Sequence, residues 1–398
     1  MKPERLTVIF FLGVTIIFMC LTFTGAARRA NEKLEIAQKN INTNWEQLYP
    51  FDEDDSIVPL SIPIHERAIF SYINHIKAKI EPYTSSKIAC RSLAVSAAKR
   101  YEELISWNIA VLNGSIRAKR LHDGALSELV DSRDISQNAE AVKKLHTFCH
   151  DLDIDFMYIN FPGKICISED EGISGILDFS NQNADRLLAE LDTAGVKCYD
   201  FRKILHAEGM KHHKAFFVED VHWRLETGLW AAGKILEILK NDYGWPVNPE
   251  LLTPDKFKKT IYPKAFNDED FVLMYPEYPM QVHYEIPSMA IDTIGDFGVM
   301  YSSQKHVSYG VYNYSIKPLG KIRNIGLKDN NKSLLIIHDS FANSTIPFLA
   351  AGVKNIDELD LRRFSGSVKS YIKTHRPDAV IVCYFINIAG MDEFYDFR

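Results

Sequence analysis

The stretch Leu334-Leu335-Ile336-Ile337-His338-Asp339-Ser340-Phe341-Ala342-Asn343-Ser344 decides how this chain is read. Four consecutive large aliphatics predict a short strand buried on both faces. Asp339-Ser340 turns the chain, and the segment from Phe341 to Ala350 reads as the start of a helix. A serine at the carboxyl end of a buried strand, with helix amides just behind it, is a common way to present a nucleophile. Those amides would stabilise negative charge on an attacked carbonyl oxygen.

A serine hydroxyl is a poor nucleophile at neutral pH and needs a base. The segment Phe216-Phe217-Val218-Glu219-Asp220-Val221-His222-Trp223-Arg224 offers one. In an extended stretch, residues two apart point to the same side, so Asp220 and His222 would face one cavity. The carboxylate would fix the imidazole tautomer and favour the imidazolium formed when His222 takes the serine proton.

Around these blocks the pattern is α/β. Helices are expected from Asp134 to Cys149, from Asn183 to Ala194 and, capped by Thr227, from Gly228 to Leu239. Strands are expected at Ile154–Phe161, Val196–Asp200 and Ala379–Phe385, with further helices at Ile346–Ala351 and Ser367–Thr374. This alternation implies a parallel sheet covered on both faces. Residues 245–326, rich in Pro, Tyr and Val, break it and read as a β-rich insertion, with strands at Phe271–Tyr275 and Val311–Ile316. The insertion either lines the site or merely covers the sheet.

Asp220-Val221-His222-Trp223, the helix with Ala231-Ala232, Asn160-Phe161-Pro162-Gly163-Lys164, the Asp339-Ser340-Phe341 block and the Pro377-Asp378-Ala379-Val380 strand resemble alginate acetylation proteins of the AlgX and AlgJ type. These form the DHHW-related branch of the SGNH hydrolase-like superfamily, and the resemblance runs from Ser132 to the C-terminus. It implies a flavodoxin-like SGNH hydrolase α/β/α core in permuted order, with the Asp–His pair preceding the serine. It assigns Ser340 as nucleophile, His222 as general base and Asp220 as its orienting partner. Two positions depart from the family pattern: His338 stands where glycine usually precedes Asp-Ser, and Val221 stands between Asp220 and His222. Asn387, just past the last strand, is either an oxyanion donor beside the Ser340 N–H or a loop cap. Lys164 reads as a substrate contact or a solvated lysine, and Trp223 as a core or pocket-wall residue.

The chain of 398 residues, with a formal net charge of -6 and no basic cluster, does not have the positive excess that nucleic-acid binding requires. Lys2 and Arg5 precede an uncharged run from Leu6 to Ala27, closed by Arg28 and Arg29. Residues 1–29 therefore read as an N-terminal transmembrane helix that anchors an extracytoplasmic domain, with a cleaved signal peptide as the rival. Residues 30–131 read as a juxtamembrane helical linker region, with a strand and then a turn over Ile109–Ser115, and 132–398 as the SGNH hydrolase-like domain. Of six cysteines, Cys20 lies in the apolar run. Cys90, Cys149, Cys166, Cys198 and Cys383 show no C-x-x-C spacing, which leaves free thiols and a pair among Cys149, Cys166 and Cys198 both open. Asp-x-His also begins a metallophosphoesterase pattern, to which His338-Asp339 or His212-His213 would add ligands, but the later elements of that pattern are missing. No metal and no cofactor is expected.

The triad residues imply an acyl-serine, which serves transfer and hydrolysis alike, and the resemblance favours O-acetyl transfer to a cell-surface or exported polysaccharide. The resemblance implies a membrane-bound O-acyltransferase as the acetyl donor partner. An acetylesterase with the same triad, and a non-catalytic polysaccharide-binding scaffold of an export complex, are the alternatives.

Overall fold

The runs of buried aliphatics become the middle of a sheet, and everything else is arranged by what must cover them. The structure, a computed structural model, describes residues 111–398 apart from 114–115, 122–123, 167–173, 176–177, 303–306 and 329. All of them belong to one compact unit. Among the described residues no helix is long and apolar enough to cross a membrane. The expected anchor at residues 1–29 lies outside them, as does the expected linker up to residue 110. The end of that linker is not helical. Val111–Asn113 (β1), Ile116–Arg120 (β2) and Leu126–Leu129 (β3) form a small antiparallel sheet. Leu126 N–H donates to Val218 O at 2.8 Å, which ties this sheet to the larger unit.

The α/β pattern then follows the predicted order. Ser136–His150 (α1) leads to Asp155–Phe161 (β4), Ser180–Thr193 (α2) to Cys198–Asp200 (β5), and the chain continues through Phe201–Ala207 (α3), His212–Ala215 (α4) and Leu225–Tyr243 (α5). Thr227 does not cap α5. It lies inside the first turn, and its hydroxyl donates to Ala215 O at 2.8 Å.

Phe257–Phe266 (β6) and Glu269–Pro276 (β7) form a separate hairpin. Gln281–Ile286 (β8), Ile291–Asp296 (β9) and Leu319–Asn324 (β10) join the main sheet instead. Ser333–His338 (β11), Ile346–Leu349 (α6), Asn355–Leu359 (β12), Val368–His375 (α7) and Ala379–Phe385 (β13) complete the chain. The sheet order is β5-β4-β13-β11-β12-β10-β8-β9. The first five strands are mutually parallel, and β10, β8 and β9 extend them antiparallel.

Every residue of β13 is buried, so both faces of the parallel part are covered. α1 packs against α2 and α7, while α5 packs against α6 and the turn after β11. The carboxyl ends of β4, β11 and β13 lie side by side, with His338 opposite Cys383 and Phe385 opposite Phe161. That edge is where open parallel sheets place their ligands.

Two expected elements take a different form. The expected strand at Val311–Ile316 is a 3-10 turn, Tyr309–Val311, followed by Asn313, Tyr314 and Ser315 at φ 54°, 56° and 62°. The expected helix after Ser340 is a 3-10 turn, Ser340–Ser344, with only α6 behind it. Cys149, Cys198 and Cys383 are unpaired thiols.

Candidate active site

Strand β11 carries Ser340 to the edge of the sheet, and Asp339 shapes the turn. Its carboxylate accepts the Phe341 N–H at 2.8 Å through Oδ1 and the Phe385 N–H at 2.6 Å through Oδ2. One buried side chain thus joins the start of the turn to the end of β13. Burial pushes the Asp339 carboxyl above its usual range, against these two hydrogen bonds. The Phe341 N–H is thus committed to Asp339 in this arrangement.

The turn is held from its other side by two aromatic donors. Trp223 Nε1–H, fully buried, reaches Phe341 O at 2.9 Å and Ser344 Oγ at 2.7 Å. The Tyr309 hydroxyl lies 3.2 Å from Phe341 O and 2.9 Å from Ser344 Oγ. Trp223 is therefore a core residue that braces the Ser340 turn. Gly228 of α5 lets the helix approach, since a Cβ there would fall 2.5 Å from Ser344 O.

Asp220 and His222 do not lie on an extended strand. They occupy a bend closed by the bridge between Phe216 and Trp223, with Phe217 N–H donating to His222 O at 3.1 Å. Asp220 Oδ1 accepts the His222 backbone N–H at 2.9 Å, an Asx-type turn, and meets His222 Nδ1 at 2.7 Å. A carboxylate only accepts, so the ring proton is assigned to Nδ1 and the Nε2 lone pair is turned outward. That lone pair lies 2.8 Å from Ser340 Oγ. The three side chains expected from the sequence form one hydrogen-bonded chain, Asp220–His222–Ser340. Burial works to raise Asp220, but the hydrogen bonds and charge of His222, with Lys164 nearby, hold it below the usual carboxylate range.

Three residues in this region carried no sequence signal. Tyr309 stacks on the His222 ring, centroids 3.8 Å apart and planes 14° from parallel. Glu269, at the start of β7, accepts the Val218 N–H at 2.6 Å and the Glu219 N–H at 3.1 Å, and pairs with Arg224 at 2.5 Å. The insertion thus both extends the sheet and supports the Asp220–His222 bend.

Glu128 of β3 is the third. Its carboxyl is raised by burial, opposed by a hydrogen bond with the Asn387 side chain and by the nearby His222. Asn387 follows β13 in the turn Ile386–Ile388, with its side chain engaged by Glu128. Lys164 is not a solvated lysine. It is buried, and its ammonium donates to Leu126 O at 2.5 Å and Val218 O at 3.0 Å.

Among the described residues, no three His, Cys, Asp or Glu side chains are grouped to hold a metal ion. A hollow of about 250 Å³ lined by Arg323, Asp357 and Tyr371 opens at the amino ends of β11 and β12, away from Ser340.

No protein-family model matches the chain, and no curated protein sequence matches it. Solved structures do. PatB1 from Bacillus cereus superposes with a TM-score of 0.59 at 19% identity, over 71% of this chain and 100% of that one. The same protein with a sulfonyl adduct gives 0.58 at 20%, over 69% and 98%. A DHHW family protein from Eubacterium siraeum gives 0.55 at 16%, over 70% and 94%. The O-acetyltransferase domain of Pseudomonas putida AlgJ gives only 0.40 at 12%, over 71% and 99%. The chain therefore shares the fold of PatB1 and of the Eubacterium siraeum DHHW family protein.

Proposed function

We propose that this chain is a serine-dependent O-acetyltransferase working outside the cytoplasm on a cell-surface or exported polysaccharide. The observation that carries the reading is the unbroken chain from Asp220 to His222 at 2.7 Å and from His222 to Ser340 at 2.8 Å. Ser340 Oγ attacks the acetyl carbonyl while His222 Nε2 takes its proton. Asp220 keeps the ring in place and stabilises the imidazolium. The tetrahedral oxyanion is received by the Ser340 N–H and, once its bond to Glu128 is exchanged, by the Asn387 amide. The leaving group departs with the His222 proton, leaving acetyl-Ser340. A sugar hydroxyl then gives its proton to His222 and attacks the ester, and Ser340 leaves as the alcohol.

Strand order supports an SGNH-type reading. Counted from β11 as first strand, the parallel strands run 2-1-3-4-5, the flavodoxin-like order, with β4 and β5 as fourth and fifth. We read this as a circular permutation that puts the base before the nucleophile in the chain. Anchoring by residues 1–29 and supply of acetyl by a membrane-bound O-acyltransferase belong to the same proposal. With water as acceptor, the same acyl-enzyme would make an acetylesterase.

The test is incubation of the chain with an activated acetyl ester, with and without an oligosaccharide acceptor. An enzyme shows burst release that Ser340→Ala abolishes, and acetylated oligosaccharide marks transfer over hydrolysis. Equal traces for both proteins would leave a scaffold. Because PatB1 has been solved with a sulfonyl adduct, a sulfonyl fluoride is a second probe, expected to label wild type and spare Ser340→Ala.

A further inference from the structure

The position where the resembling family usually has glycine holds a histidine, and the structure surrounds it with buried charge. His338 ends β11 and is 1% exposed. Its Nδ1 lies 2.7 Å from the carbonyl oxygen of Asp339. A carbonyl only accepts, so Nδ1 carries a proton and donates it. On the other side of the ring, Nε2 faces Glu358 Oε2 of β12 at 3.2 Å. Glu358 is itself fully buried, with Lys317 Nζ 3.0 Å from Oε1 and the Asn313 side-chain amide donating to Oε2 at 2.7 Å.

Lys317 Nζ also donates to Asn313 O at 2.6 Å, and the Tyr284 hydroxyl donates to Asn313 Oδ1 at 2.7 Å. Burial pushes Glu358 up, but Lys317 and His338 bring it below its usual range, while burial pulls Lys317 down. The cluster has further local demands. Asn313, Tyr314 and Ser315 all lie in the left-handed region that non-glycine residues avoid. A Cβ at Gly320 would fall 2.3 Å from Glu358 Oε1.

A buried ion pair is weak evidence for stability, because desolvation opposes its attraction. What the cluster holds is therefore the useful question, and the contacts lead to one peptide group. The carbonyl that His338 grips belongs to the same planar unit as the Ser340 N–H. In a trans peptide the two point in opposite directions. Gripping the carbonyl on the buried side turns the Ser340 N–H away from it. Donation to the carbonyl also polarises the amide and strengthens its N–H as a donor.

We propose that His338 is a positioning residue that locks the Asp339–Ser340 peptide so that the Ser340 N–H faces the developing oxyanion, with Glu358 and Lys317 holding the ring for that task. The proposal rests on the acyl-serine reading above. It also accounts for how a histidine serves where a glycine turn usually does: its ring lies beneath the turn and out of the substrate's path.

Two readings of the full chain test it. Kinetics with an activated acetyl ester compare wild type with His338→Leu, His338→Gly and His338→Asn, whose amide nitrogen can replace Nδ1–H. Loss of an oxyanion donor costs about 100-fold or more in kcat. The leucine and glycine variants should show that loss with KM little changed, and asparagine should recover most of it. A leucine variant with wild-type kcat, or an asparagine variant no better than leucine, overturns the proposal. The second reading needs no activity: a crystal structure of the glycine variant, or of leucine should glycine not fold. A rotated 339–340 peptide supports the lock, and an unrotated one overturns it. Absence of any acetyl chemistry in wild type would instead count against the acyl-serine reading.

Discussion

The two halves of the candidate site are held by different means. The Ser340 turn hangs from a parallel sheet, and its supports are buried: Asp339, Trp223 and, beneath them, the His338–Glu358–Lys317 cluster. The Asp220–His222 bend has no sheet of its own. Side chains brought from distant elements hold it: Glu269 from the hairpin, Lys164 from beyond β4, and Tyr309 from a 3-10 turn. Damage to the first half should therefore cost stability as well as turnover. Damage to the second should appear mainly as lost turnover in a protein that still folds.

Glu358→Gln probes the first half with the largest expected effect on stability. It leaves Lys317 buried without its carboxylate, which costs about 3–5 kcal/mol; chemical denaturation measures it. A change below about 1 kcal/mol would show that the sheet, not the charge cluster, carries this half. Glu269→Ala probes the second half. It removes the acceptor for Val218 and Glu219 and the partner of Arg224, an expected loss of about 1–3 kcal/mol. Its kcat should fall at least tenfold, and a variant that loses stability with unchanged kcat would erase the contrast.

Tyr309→Phe is a finer probe because it keeps the ring against His222 and deletes only the hydroxyl at Phe341 O and Ser344 Oγ. About 1 kcal/mol of stability and a few-fold in kcat are expected; Tyr309→Ala should do more to kcat.

The smallest effect is electrostatic. The folded Asp220 carboxyl lies below its ordinary value, so its stabilising contribution is present above about pH 4 and is lost as pH falls through the depressed value. The stability gap between wild type and Asp220→Asn should be flat above that pH and narrow below it. A gap that widens on acidification would reverse the sign of the Asp220–His222 coupling.

The same contrast explains what the sequence made legible. β13 was expected at Ala379–Phe385 and lies there, and β11 and β4 were equally plain, because strands buried on both faces must be continuously apolar. β12, Asn-Ile-Asp-Glu-Leu, gave no such sign. Its Asp357 and Glu358 are matched by Arg323, Tyr371 and Lys317 from elsewhere, and those partners are visible only in three dimensions. Asp220 and His222 were legible as a pair from their spacing, yet an Asx turn and not strand alternation joins them. Tyr309 and Glu269 were illegible because each acts through a contact that the insertion makes only after folding. At position 338 the sequence raised a question that only the direction of the ring could answer.

The central claim is that Ser340 is acylated with His222 as its base. Mapping acetyl groups by mass spectrometry after brief exposure to an activated acetyl ester and acid quenching tests it most directly. The account predicts acetyl on the peptide containing Ser340, absent in Ser340→Ala and strongly reduced in His222→Ala. Acetyl found only elsewhere, or unchanged in both variants, would contradict it.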